Sequence, residues 1–95
     1  PYARLGAIII SCVDEDVTIA TARNLAKCAP NGPGLVTYGP AQAPLYRIRG
    51  RYRYRFLVHA EKHLNIQKAI SDWRALVKIP STVKVQIDID PQSFL

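Results

Sequence analysis

The chain switches between a hydrophobic period of two residues and one of about 3.6, and the switches divide it into six elements. Arg4 to Cys12, within ARLGAIIISC from Ala3, is a nearly continuous apolar run rich in isoleucine and reads as a central strand. Asp14 follows as an N-cap, with Glu15 and Asp16 placing negative charge at the positive end of a helix dipole. On a helical wheel Val17, Ala22, Leu25, Ala26, Cys28 and Ala29 fall on one side, while Arg23 and Lys27 share the other. Pro30 and the turn cluster Asn31-Gly32-Pro33-Gly34 end this helix.

Leu35 to Tyr38 and Leu45 to Arg49 have strand character, but Pro40 and Pro44 interrupt the ladder, which predicts an edge strand with an irregular middle. Gly50 then either turns or bulges the chain into a strand from Arg51 to His59. From Leu64 to Val77 the helical period returns, with Ile66, Ala69, Ile70, Trp73, Leu76 and Val77 in one stripe and Gln67, Lys68, Asp72 and Arg74 away from it. Pro80 ends that element. Val83, Val85, Ile87 and Ile89 alternate with Lys84, Gln86, Asp88 and Asp90, a half-buried strand stopped by Pro91.

The order strand, helix, strand, strand, helix, strand predicts an α+β fold of two split βαβ units, ferredoxin-like in topology. Right-handed crossovers give one mainly antiparallel four-stranded sheet with both helices on one face and the other face bare. Ninety-five residues suffice for one core, so residues 1–95 form a single domain. There is no internal repeat and no low-complexity tract.

Composition adds one feature to this plan. The apolar share of 48% and charged share of 21% are ordinary for a globular chain, but 13 Lys and Arg against 7 Asp and Glu leave a net charge of +6. On so small a surface, a pI near 9.7 favours an anionic partner. A chain that begins Pro1-Tyr2 and lacks Met is expected to be a piece cut from a longer polypeptide. No apolar run is long enough for a membrane helix. Cys12 and Cys28 fall in different elements without a CxxC pair and read as free thiols in a reducing, cytoplasmic compartment.

The charge concentrates in RIRGRYRYRFLVHA, Arg47 to Ala60. Alternation in a strand puts Arg51, Arg53 and Arg55 on one face and Tyr52, Tyr54 and Phe56 on the other. Side chains about 6.6 Å apart on one surface make a ladder of forked donors for successive phosphates or carboxylates. If the tyrosine face is the helix side, the aromatics belong to the core and the arginines bind by charge; if a bulge at Gly50 reverses the register, Tyr52 offers a ring for base stacking. A plain alternative is a solvated strand face that discourages aggregation. Other chemistry finds no motif. There is no GxxxxGK[ST] phosphate loop, the cysteines lack zinc-site spacing, and Asp88 and Asp90 share a strand face without a nearby His or Ser motif. His59 and His63 do not share one helix, and Trp73 sits on an apolar stripe that makes it core.

The stretch GPAQAPLYRIRGRYRYRFLVHA and the closing VKVQIDIDPQSFL resemble the C-terminal domain of the primosomal protein N family of bacterial replication-restart helicases. The likeness runs across nearly the whole chain from Arg4, and Asp88-Ile89-Asp90-Pro91 stands where that family's polypeptides end. The resemblance implies a parent that unwinds DNA at abandoned replication forks with ATP, and so ATP, magnesium and zinc for the parent but no cofactor, metal or catalytic residue for this domain. It also implies a fold like that of a ribosomal small-subunit protein and contact with branched and single-stranded DNA. Expected partners are DNA, the acidic tail of single-stranded-DNA-binding protein, other primosome proteins and the helicase lobes of the same chain. The family's Arg-Gly-Arg-Tyr-Arg maps onto Arg49, Gly50, Arg51, Tyr52 and Arg53, and the tail site onto the region of His63 and Gln67. Where the family can place an arginine near that helix start, this chain has Lys62 and His63.

Two functions follow from these residues. One is a nucleic-acid and partner-binding module in which Arg47, Arg49, Arg51, Arg53, Arg55 and Tyr52 meet the nucleic acid and Lys62, His63 and Gln67 meet the partner. The other is a structural scaffold that docks on helicase lobes or on an RNA–protein assembly, its basic face neutralised by protein.

Overall fold

A computed structural model describes residues 3–90 of the chain. Pro91 and the last residues of the closing motif lie outside the described residues. The elements are β1 (Ala3–Cys12), α1 (Glu15–Lys27), β2 (Leu35–Ile48), β3 (Arg51–Glu61), α2 (Ile66–Ala75) and β4 (Lys84–Ile89). They form the expected α+β fold, with one sheet in the order β2-β3-β1-β4 in which all three pairings are antiparallel.

β1 and β3 pair without a break from Ala3 opposite Glu61 to Cys12 opposite Tyr52. An unbroken register keeps the two-residue alternation intact, so one set of side chains faces the helices along both strands. That set is Ile8, Ile10 and Cys12 with Phe56, Val58 and Ala60, and all are buried. Val85, Ile87 and Ile89 of β4 pack beside them.

Both helices begin on side-chain caps. Asp14 accepts from the Val17 N–H at 3.2 Å, and Asn65 accepts from the Lys68 N–H at 3.0 Å. The face that α1 buries differs from the expected one. Thr18, Thr21, Ala22 and Leu25 are buried and Ala26 is exposed. The threonines fit because their hydroxyls donate to the Asp14 and Val17 carbonyls at 2.8 Å, which leaves only methyl groups for the sheet. α2 buries Ile66, Ile70 and Trp73 as expected, but it stops at Ala75, which leaves Leu76 70% exposed instead of in the stripe.

Trp73 joins the layers. Its indole N–H donates to the Leu25 carbonyl at 2.9 Å, bridging α2 to α1, and its ring meets Phe56 edge-on with centroids 5.0 Å apart.

β2 is the irregular edge strand expected from Pro40 and Pro44. Its register against β3 shifts between Tyr38 and Ala41 and again between Gln42 and Arg47. Gly39 sits at the first shift with φ +118°, where an added Cβ would lie 2.8 Å from the Arg55 carbonyl oxygen. Only glycine allows both the conformation and the approach.

Trp73→Phe keeps the edge-on ring contact but removes the N–H to Leu25 and part of the buried volume. The expected loss is about 2 kcal/mol in urea unfolding, with circular dichroism at low urea unchanged.

Candidate nucleic-acid interface

The β2–β3 connection is a two-residue turn. Arg49 (φ 52°) and Gly50 (φ 76°) are both left-handed, the pairing that suits the right-handed twist of a hairpin. Gly50 therefore turns the chain and does not bulge it, and the irregularities fall in β2 instead. β3 enters with its alternation preserved.

Arg51, Arg53 and Arg55 consequently stand on the bare face, opposite the face where Phe56 is buried. Two of the guanidiniums are held by neutral oxygens. Arg51 leans over β1, where Nε donates to Ser11 Oγ at 3.1 Å and Nη2 to the Ser11 carbonyl at 2.9 Å. Arg53 leans the other way, and its Nη1 donates to the carbonyls of Pro44 at 2.7 Å and Leu45 at 3.2 Å, within the irregular part of β2. Neutral acceptors orient these charges without cancelling them. Arg55 shares the face.

Arg47 and Tyr52 lie on the other side of the sheet. Arg47 pairs with Tyr52 across β2 and β3, and its guanidinium carbon stands 5.2 Å from the centre of the Tyr52 ring, a cation–π contact. The Tyr46 ring flanks Tyr52 at 5.6 Å and Tyr54 at 5.2 Å. Tyr46 Oη donates to Glu15 Oε2 at 2.9 Å and lies 3.3 Å from Tyr54 Oη. A phenol has one proton, so Tyr54 is the donor in that second pair. Partial desolvation, then these hydrogen bonds, push the Tyr46 hydroxyl above the ordinary range of a phenol, which keeps it a donor. The register reversal that would have moved Tyr52 to the arginine face is absent.

The bare face also gathers residues that the strand pattern did not single out. A groove of about 330 Å³ opens there between Arg49, Arg51 and Arg53 on one side and Lys84 and Gln86 of β4 on the other, with Ile9, Ser11 and Ile48 lining the rest. Alternation along β4 had placed Lys84 and Gln86 together. Their role depends on β4 lying beside β1, which sets Lys84 opposite Ser11 and Gln86 opposite Ile9.

Lys62 and His63 fall in the turn before α2 and Gln67 in its first helical turn, so the three share one corner. His63 Nδ1 lies 3.5 Å from Glu61 Oε2. Gln67 Oε1 accepts from Arg4 Nη1 at 3.4 Å and also lines a mostly apolar groove of about 160 Å³ between α2 and β4, with Ile70, Ser71, Arg74, Ile87 and Ile89. Asp88 and Asp90 do not share a face. Asp90 follows the end of β4 at φ 51° and turns back to β1, where its carboxylate accepts from the Leu5 N–H at 3.1 Å and from Arg4 Nε at 3.0 Å. Cys12 and Cys28 are free thiols. Among the described residues no three His, Cys, Asp or Glu side chains gather closely enough to hold a metal ion.

The Leu5 N–H and then the Arg4 guanidinium hold Asp90 below its ordinary value of 3.8. A carboxylate whose folded pKa is depressed adds stability above its unfolded pKa and loses it as the pH falls through the folded one. Asp90→Asn is therefore expected to lower the melting temperature at pH 7, and the gap to wild type should close in acid well below pH 3.8. Melting curves across that range check it.

The family model described as the primosomal protein N C-terminal domain matches residues 1–92. The chain is 36% identical over 94 residues to the replication restart protein PriA of Rickettsia typhi and 37% identical to that of Rickettsia felis, covering 99% of this chain in each case. It is 31% identical over 101 residues to the probable replication restart protein PriA of Deinococcus radiodurans, covering 98% of this chain. The chain spans 14% of the length of the Rickettsia proteins and 10% of that of the Deinococcus protein.

Proposed function

The chain belongs to the primosomal protein N C-terminal domain family, and on that premise we propose that it is the DNA-binding and protein-docking domain of an ATP-dependent replication-restart helicase acting in the cytoplasm. The observation that carries the DNA contact is the groove on the bare face, lined by four cations and no carboxylate. Arg51 and Arg53 enter it already oriented, so a phosphate meets donors whose direction is set before binding. Arg55 extends the row along β3. A single or branched strand that wraps the β2–β3 turn also reaches Arg49, and past it Arg47 and the Tyr52 ring. In this reading the domain carries no catalytic residue, and ATP, magnesium and zinc belong to parts of the parent outside these residues.

The docking half of the proposal rests on the corner of Lys62, His63 and Gln67. Lys62 there, with Arg74 on the rim of the mostly apolar groove that Gln67 lines, suits an acidic peptide tail with an apolar end, as on single-stranded-DNA-binding protein. The bare face also has an apolar end. Val36 and Tyr38, 39% and 58% exposed, lie there with Leu57 and Leu5 around His59, beyond Arg55 along β3. This favours a second reading, a scaffold that docks on the helicase lobes or other primosome proteins without direct contact to nucleic acid.

A salt titration of binding to single-stranded and forked DNA separates the two. With about three phosphates neutralised, log affinity for single strands is expected to fall with log salt at a slope of about −2. Replacing Arg51, Arg53 and Arg55 with Ser should flatten that slope. A triple variant that binds DNA as wild type does, but associates less with the helicase lobes, identifies the scaffold.

A further inference from the structure

We infer that a single strand of nucleic acid crosses the sheet from β3 over β1 to β4, with Lys84 holding a phosphate and Gln86 facing a base that rests on Ile9. This rests on the nucleic-acid reading of the bare face and adds the direction of the strand and its far bank.

The hydrogen bonds set the direction. Arg53 is drawn towards β2 by the Pro44 and Leu45 carbonyls, and Arg51 is drawn over β1 by Ser11. Ser11 in turn stands opposite Lys84 on β4. The positive charges therefore run Arg53, Arg51, Lys84 across the strands, and a phosphate backbone follows that line. A carboxylate marks where it stops. Asp88, two residues beyond Gln86 on the same face of β4, stands opposite Ala7 and repels a backbone that runs on along the strand.

The groove suits one flexible strand. β3 and β4 flank β1 at a separation of about 10 Å, and the trough that their side chains form above β1 is about as wide as one nucleotide. Its floor is Ile9, half-buried between Arg55 on β3 and Gln86 on β4, against which a base can lay an apolar face. Gln86 is exposed beside it and offers both a donor and an acceptor to the base edge. A paired base in a duplex has that edge occupied and cannot lie flat on the sheet.

The test measures fluorescence anisotropy of a labelled oligothymidylate of about 12 nucleotides as a function of salt, for wild type, Lys84→Ala, Gln86→Ala and Arg51→Ser/Arg53→Ser. Lys27→Ala, which removes an exposed cation on α1, serves as the equal-charge control. Circular dichroism confirms that each variant is folded. Lys84→Ala is expected to make the salt slope shallower by about 0.7, which is about fivefold weaker binding at 0.1 M salt and none near 1 M. Gln86→Ala should weaken binding at every salt concentration with the slope unchanged. If Lys84→Ala behaves like Lys27→Ala while the arginine pair abolishes binding, the crossing path is wrong and the arginine site stands. If the arginine pair also binds as wild type does, the nucleic-acid reading itself fails. Equal slope changes for Lys84→Ala on a duplex of the same sequence overturn the single-strand assignment.

Discussion

Phe56, Val58 and Ala60 are fully buried between the sheet and the helices, and this fixes which way every other side chain of β3 points. A slip of one residue would carry all three into water and drive three arginines under the helices, a cost far above the stability of so small a domain. β1 enforces the same register from the other side, through ten consecutive pairings without a bulge. The exposure of the arginine row is thus a consequence of core packing. Nothing on the bare face itself has to hold it there.

The face gains its order from polar contacts with uncharged groups. An arginine side chain in water samples many rotamers, and each one fixed at the moment of binding subtracts from affinity. Ser11 and the carbonyls of β2 impose that order in advance, and because they are neutral they leave the field of the guanidiniums intact. The irregular middle of β2 therefore has a use. It turns the carbonyls of two successive residues, Pro44 and Leu45, to Arg53, where a regular strand would point only one of them towards β3.

Much of this was legible in the residues. The β3 alternation, the helix face of Ile66, Ile70 and Trp73, and the prolines of β2 each obey a local rule, and the element order limits the topology to few choices. Other features depended on information that no local pattern holds. Gly50 is compatible with a turn or a bulge, and the choice lay in the left-handed conformation of Arg49, a residue with no preference for it. Thr18 and Thr21 look polar by hydropathy, yet bury because each hydroxyl is satisfied within its own helix. Lys84 and Gln86 join the groove only through the register of β4 on β1. Asp90 turns out of its strand, where its two carboxylate oxygens accept from Arg4 and from the Leu5 amide together.

A wide uncovered sheet brings a hazard, since each border strand offers unpaired amides to another molecule. The kinked course of β2 answers it on one side, where Pro40 and Pro44 lack N–H groups and two breaks in register prevent a foreign strand from zipping along. On the other side β4 is only six residues long and carries Lys84 and Asp88. The same kinks that aim Arg53 thus also keep neighbouring copies from polymerising edge to edge into fibrils.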